Sequence, residues 1–152
     1  MNKLMHPLAV RPLKTIGLAL WLSCCMLASC ADSPTAPTTD GIALESISPA
    51  AGTMLTAGER VTFTAVVTCT IVNSDGGFAA MVVQDQANRS LLPPGEVAAQ
   101  AILRKGTETI TLRQSVTIPE GLGGGTVTVA LPIFVNESSS TRAVVTRNYT
   151  VR

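Results

Sequence analysis

The chain has 152 residues, the length of one domain, and 46% of them are hydrophobic against 3% aromatic. Lys3, Arg11 and Lys14 are the only charges in the first 29 residues, so the remainder carries eight basic against ten acidic side chains. That balance lacks the clustered basic surface that phosphate binding requires, and it excludes nucleic acid as an expected partner.

The three early basic residues precede an apolar run of 13 residues, Ile16 to Ala28. The run falls short of the roughly 20 residues that span a bilayer but suits the apolar region of a signal peptide. It ends in Leu27-Ala28-Ser29-Cys30. This tetrapeptide resembles the lipobox of bacterial lipoproteins, in which Leu and two small residues precede a cysteine. The resemblance implies cleavage before Cys30 and a lipid on its sulfur, making residues 1–29 a signal peptide. Cys24 and Cys25 fit less well, because Cys25 follows another cysteine and Cys24 has Trp21 where the pattern wants Leu. An ordinary signal peptide or a short uncleaved anchor is the alternative. Each buried CH₂ contributes about 0.8 kcal/mol, so one acyl chain holds marginally and several hold lastingly. Ala31 follows the cysteine, where Asp would resemble an inner-membrane retention signal; this favours the outer membrane of a two-membrane envelope. Cleavage would remove His6, Trp21, Cys24 and Cys25. With Cys30 acylated, Cys69 would be the one free thiol, so no intramolecular disulfide is expected and packing must supply stability.

Residues 30–41 are small, polar and proline-rich, with Pro34 and Pro37 among them. Such a stretch buries too little apolar surface to order itself and reads as a flexible tether that holds the following domain off the lipid surface.

From Ile42 to Arg152 the pattern is of short strands between turn signals. Ile42, Leu44 and Ile47 predict a first strand, ended by Ser48-Pro49. Arg60 to Val72 predicts the clearest strand, with Val61, Phe63, Ala65, Val67, Cys69 and Ile71 on one face and Thr62, Thr64, Thr68 and Thr70 on the other. Asn73-Ser74-Asp75-Gly76-Gly77 reads as a turn, and Phe78 to Gln84 as a third strand with Phe78, Ala80 and Val82 on one face. Glu96 to Leu103 has the alanine content of a helix but is short and sits among strands; it is read as a strand. Thr107 to Ile118 predicts a further strand, with Ile110, Leu112, Val116 and Ile118 inside. Pro119 to Gly125 reads as a flexible connection. Val127, Val129, Leu131, Ile133 and Val135 line the next strand, where Pro132 suggests an edge or a bulge. Asn136 to Thr141 is a turn. Arg142 to Val151 closes the chain with Ala143, Val145, Tyr149 and Val151 inward; Arg147 interrupts that face and predicts a bulge or a snorkelling side chain.

The expected fold is therefore all-β, an antiparallel sandwich of about seven strands behind a signal peptide and a tether. Ile47-Ser48-Pro49-Ala50-Ala51-Gly52-Thr53 followed by Gly58-Glu59-Arg60-Val61-Thr62-Phe63 resembles the opening of bacterial immunoglobulin-like and fibronectin III-like domains, where a Pro-x-x-Gly turn precedes a Gly-x-x-Val-x-Phe strand. Val116-Thr117-Ile118-Pro119 and Tyr149-Thr150-Val151 fit the same pattern. The resemblance implies an immunoglobulin-like sandwich. The sequence departs from the antibody type in lacking a cysteine pair, a buried Trp and a tyrosine corner.

Chemistry-bearing residues are sparse. With no His beyond His6, neither a Ser-His nor a Cys-His pair can form in residues 30–152, and zinc lacks its usual ligands. Cys69 sits on an inward face and reads as a small core hydrophobe, the alternative being a reactive or intermolecular thiol. Asn73, Ser74 and Asp75, with Asp85 near, could offer oxygens to calcium, but a hard cation wants six or more and a plain turn is the simpler reading. Gly121, Gly123, Gly124 and Gly125 lack the Lys-Ser/Thr end of a phosphate loop. Glu108 and Glu120 do not have the spacing of an acid–base pair. Asn88, Asn136 and Asn148 begin glycosylation sequons, accidental in a bacterial lipoprotein.

The resulting expectation is a non-catalytic envelope lipoprotein without cofactor or metal. It is held to the membrane by the lipid on Cys30, and its sandwich binds an envelope protein or a surface glycan. The candidate contact loops are Asn73, Ser74, Asp75, Gly76 and Gly77, and Gly121, Gly123, Gly124 and Gly125. A structural or accessory subunit of an envelope assembly is the alternative; a carboxylate-based hydrolase is a third class.

Overall fold

The computed structural model of the chain describes residues 36–135 and 138–152. The signal segment, the lipobox with Cys30, and Asn136-Glu137 lie outside the described residues. Six strands form the domain: β1 (Gly41–Ser48), β2 (Arg60–Ala80), β3 (Val82–Asp85), β4 (Gln100–Thr117), β5 (Thr126–Val135) and β6 (Ser138–Thr150). All their pairings are antiparallel. The architecture is an all-β sandwich, with six strands rather than about seven.

The chain path explains the difference. β2 starts beside the C-terminal residues, where the Ala57 N–H donates to the Arg152 carbonyl (3.0 Å). It climbs between β1 and β4 and reaches the far end of the domain, where Gly77 pairs with Val135. It then returns through Met81 into β3, ending with Asp85 opposite Val127. Asn73 to Gly77 do reverse the chain, as expected, but as an arch from one sheet to the other within continuous β2, not as a hairpin turn. β4 follows β2 over the same arch, pairing Gly106 with Ile71 and Arg104 with Gly76. The expected strands at 96–103 and 107–118 are accordingly one strand from Gln100. Arg104-Lys105-Gly106 between them is a bulge with Gly106 at φ +115°, and residues 96–99 carry no strand.

The inward faces share one aliphatic core. Val61, Phe63, Ala65, Val67, Cys69 and Ile71 of β2 are all buried, as the alternation predicts. So are Leu112 and Val116 of β4 and the five alternate residues of β5 from Val127 to Val135. Each such Val, Leu, Ile or Phe contributes about 1.5–3 kcal/mol on full burial. Ile42, Leu44 and Ile47 pack on this core from β1 despite their uneven spacing, because a bulge between Leu44 and Ser46 absorbs one residue.

Beyond the arch odd-numbered residues of the chain again face the core, as they do before it. Ala79, Met81 and Val83 are fully buried, and Phe78 turns outward with 37% of its surface exposed. Phe78, Ala80 and Val82, expected on one face, alternate with these and lie on the outer side. Four residues of β2, Val72 to Asp75, stand opposite Lys105 alone; within this irregularity Ser74 and Gly76 are buried, and the odd-numbered alternation resumes after it. Pro132 lies in a central strand, not on an edge. It stands between Ala130, the last residue paired with β3, and Ile133, the first paired with β2, so its lack of an N–H falls where the neighbouring strand changes. The bulge expected near Arg147 is absent, since pairing runs without a break from Ala143 to Thr150. Arg147 is half-buried and donates to the Thr146 carbonyl (2.7 Å).

Candidate functional site

The two glycine-containing segments singled out above lie at opposite ends of the sandwich. Gly77 pairs with Val135 at one end of β5, whereas Gly125 immediately precedes Thr126 at the other. At about 3.3 Å per strand residue, roughly 30 Å separates them. They cannot line one site.

Each segment is bonded into the fold. At the arch, the Asp40 carboxylate accepts the N–H groups of Val72 (2.7 Å) and Asn73 (3.1 Å). These bonds, Val72 first, lower the Asp40 pKa below the usual carboxylate value, with Arg142 adding a favourable charge. Asp40 and Gly41, read as tether, therefore belong to the domain. Ser74 is buried, and its hydroxyl donates to the Gly76 carbonyl (2.9 Å). A Cβ on Gly77 would overlap the Phe134 carbonyl, so this glycine permits β2 and β5 to meet. At the other end, Glu120–Leu122 form a single 3₁₀ turn with Leu122 buried. The Gly124 N–H donates to the Val151 carbonyl (2.9 Å), and the Val151 N–H to Gly125 (3.0 Å). The connection expected to be flexible is stitched to the C-terminal residues; a Cβ would meet open space at Gly121, Gly123 and Gly124 but crowd Leu122 at Gly125.

The oxygen donors considered for calcium are not brought together. Asp85 sits at the end of β3 farthest from the arch and serves its own turn. Its carboxylate accepts the N–H groups of Ala87 (2.8 Å) and Arg89 (2.9 Å) and pairs with the Arg89 guanidinium (2.7 Å). The backbone bond from Arg89 is the main cause of its lowered pKa. Among the described residues no group of three His, Cys, Asp or Glu side chains could hold a metal. Cys69 is 1% exposed, and burial first, then Glu108, pushes its thiol up to about 11. Glu108 lies at the arch end, accepting the Arg104 N–H (2.8 Å), while Glu120 lies beside Gly58 at the opposite end. A cavity of about 130 Å³ lined by Arg60, Pro93, Glu96, Ser115, Val116 and Thr117 is below the ~300 Å³ of small-molecule sites.

The two outer faces differ sharply in chemistry. Over β2 and β4 of the first sheet run hydroxyl pairs: Thr62 with Ser115 (2.7 Å), Thr68 with Thr109 (3.0 Å) and Thr70 with Thr107 (3.0 Å). The second sheet's outer face is apolar near the arch. Ile102, Phe78 and Phe134 stand in register across β4, β2 and β5, and the two phenyl rings stack at 4.8 Å. Pro132 and Val144 form the next row. Ile102 is 86% exposed and Val144 53%. Sequence reading grouped Phe78, Ala80 and Val82 but did not join them to Ile102, Phe134 and Val144, because strand register across the sheet has no local signal. The one available hint was the placement of Ile102 two residues before Arg104 and next to buried Leu103.

No protein-family model matches the chain. No match was found among curated proteins. Among solved structures, a candidate beta-galactosidase from Bacteroides fragilis aligns at 11% identity and TM-score 0.46, covering 63% of this chain and 15% of that one. A family 123 glycoside hydrolase from Clostridium perfringens aligns at 12% identity and TM-score 0.32, covering 67% and 23%. A DUF4466 family protein from Parabacteroides merdae aligns at 13% identity and TM-score 0.35, covering 72% and 43%. The aligned part of the chain thus spans less than half the length of each of these proteins.

Proposed function

We propose that the chain is a lipid-anchored, non-catalytic envelope protein that presents one immunoglobulin-like sandwich for binding a protein or a glycan. The observation that carries this reading is Leu27-Ala28-Ser29-Cys30 at the end of a 13-residue apolar run, ahead of a proline-containing stretch and a β-domain. The domain supports it through the uses of its acidic groups: Asp40 caps the arch, Asp85 caps a turn and Glu108 accepts a backbone N–H. The deciding experiment is Cys30→Ala in the full-length chain. The unsubstituted chain is expected in the membrane fraction with the mass of residues 30–152 plus acyl chains. The variant is expected to keep its first 29 residues and to lose acylation. Equal mass shifts and equal membrane partition in the two would sink the reading. Protease shaving of intact cells then separates a surface-facing binder from a periplasmic one.

A further inference from the structure

We propose that the apolar outer face formed by Ile102, Phe78, Phe134 and Val144 lies against the membrane leaflet in which Cys30 is anchored, so that the domain is seated on the bilayer and not held off it. This rests on the lipid-anchor reading above. Of the three phenylalanines, only Phe63 is in the core; the other two form a stacked pair on the surface. Aromatic and aliphatic side chains on one exposed face are what an interfacial surface needs, since burial of apolar area in the headgroup boundary drives such binding.

The position of the chain's start selects the leaflet as the occupant. Asp40 is bonded to Val72 and Asn73 at the arch, and Phe78 follows in the same strand just beyond it. Ten residues separate Cys30 from Asp40, a reach of at most about 35 Å. The apolar face therefore lies at the end of the domain where Asp40 is bonded, ten residues after Cys30 in the chain. A second copy fits less well. The face is four strands wide, about 19 Å, and holds two rows of apolar side chains about 7 Å apart along the strands, so two copies would bury well under the ~1,000 Å² of a specific interface. The charges at this end, Arg104, Lys105 and Arg142 against Asp40, Asp75 and Glu108, balance, so apolar contact and not anionic attraction drives the seating.

The test uses the full-length chain, exported and lipidated, then reconstituted into phosphatidylcholine–phosphatidylethanolamine vesicles with a fraction of brominated lipid. Trp21, the only tryptophan, leaves with residues 1–29 on processing, so the lipidated chain has none and one reporter can be placed at a time. Ile102→Trp is compared with Glu120→Trp at the opposite end; both sites are exposed, and circular dichroism checks that each variant keeps its β signal. The expected result is quenching by brominated lipid at least threefold stronger at position 102 than at 120, unchanged by 0.5 M salt. Equal quenching at the two positions in a chain that floats with the vesicles would overturn the seating while leaving the anchor intact. A chain that does not float would overturn both. Protection of position 102 from aqueous acrylamide without lipid quenching would show a protein on this face, and would also overturn the proposal.

Discussion

Asp40 and Asp85 show how single carboxylates secure a chain of few charges. Each accepts two backbone N–H groups, Asp40 at the arch and Asp85 in its turn. Both pKa values are lowered from 3.8, so the native state holds these groups ionised more strongly than the unfolded chain does. Their contribution is complete above the unfolded value and is lost as pH falls through the lowered ones. Melting temperature is therefore expected to be flat between pH 5 and 7 and to fall below about pH 4. Asp40→Asn, which keeps an acceptor but cannot titrate, is expected to melt lower at pH 7 and to show a shallower acid decline. An unchanged acid limb in that variant would remove Asp40 from this account. Tyr149 works in another way. Its ring packs on Phe63 (5.2 Å between centroids), and its hydroxyl donates to the Pro49 carbonyl (2.8 Å). The sequence lacks a tyrosine corner, yet the one tyrosine still ties the last strand to the connection between β1 and β2.

The arch is the element on which the rest depends. Gly77 meets the Phe134 carbonyl so closely that Gly77→Ala must separate β2 from β5. That strain is expected to cost about 3 kcal/mol, read as a lower urea midpoint in circular dichroism. Gly121→Ala, in open space, serves as the control and is expected to leave the midpoint within about 0.5 kcal/mol. The arch also marks how far the sequence could be read. Strict alternation from Val61 to Ile71 revealed the main core strand and its buried face, because burial on one side imposes period two. Asn73-Ser74-Asp75-Gly76-Gly77 signalled a reversal, and the chain does reverse there. Whether reversal joins neighbours in one sheet or crosses between sheets depends on long-range partners, here Val135 and Arg104, which no local pattern encodes. Gly123-Gly124-Gly125 read as flexible because glycine has no local preference; its order comes from Val151, far along the chain.

At the scale of the whole molecule, one aliphatic core, built without a disulfide among the described residues, includes the buried Cys69. The thiol therefore reports global opening. At pH 8 a thiol with its pKa near 11 is almost wholly protonated. Iodoacetamide is expected to label the folded domain at least about 100-fold more slowly than the urea-unfolded chain. Equal rates would place Cys69 on an accessible surface and contradict the packing. The loops expected from the sequence to bind are hydrogen-bonded into the fold at opposite ends of the sandwich. The apolar face emerged only once β4, β2 and β5 were aligned, since its three leading residues are far apart in the chain. The last residues carry one more consequence. Leu55 bridges Val151, Val151 bonds Gly124 and Gly125, and Tyr149 reaches Pro49, 100 positions earlier. A sandwich closed by contacts of such long range folds slowly and late. Its final seam cannot form until Tyr149 and Val151 have been synthesised, so closure of the sandwich waits for the last strand.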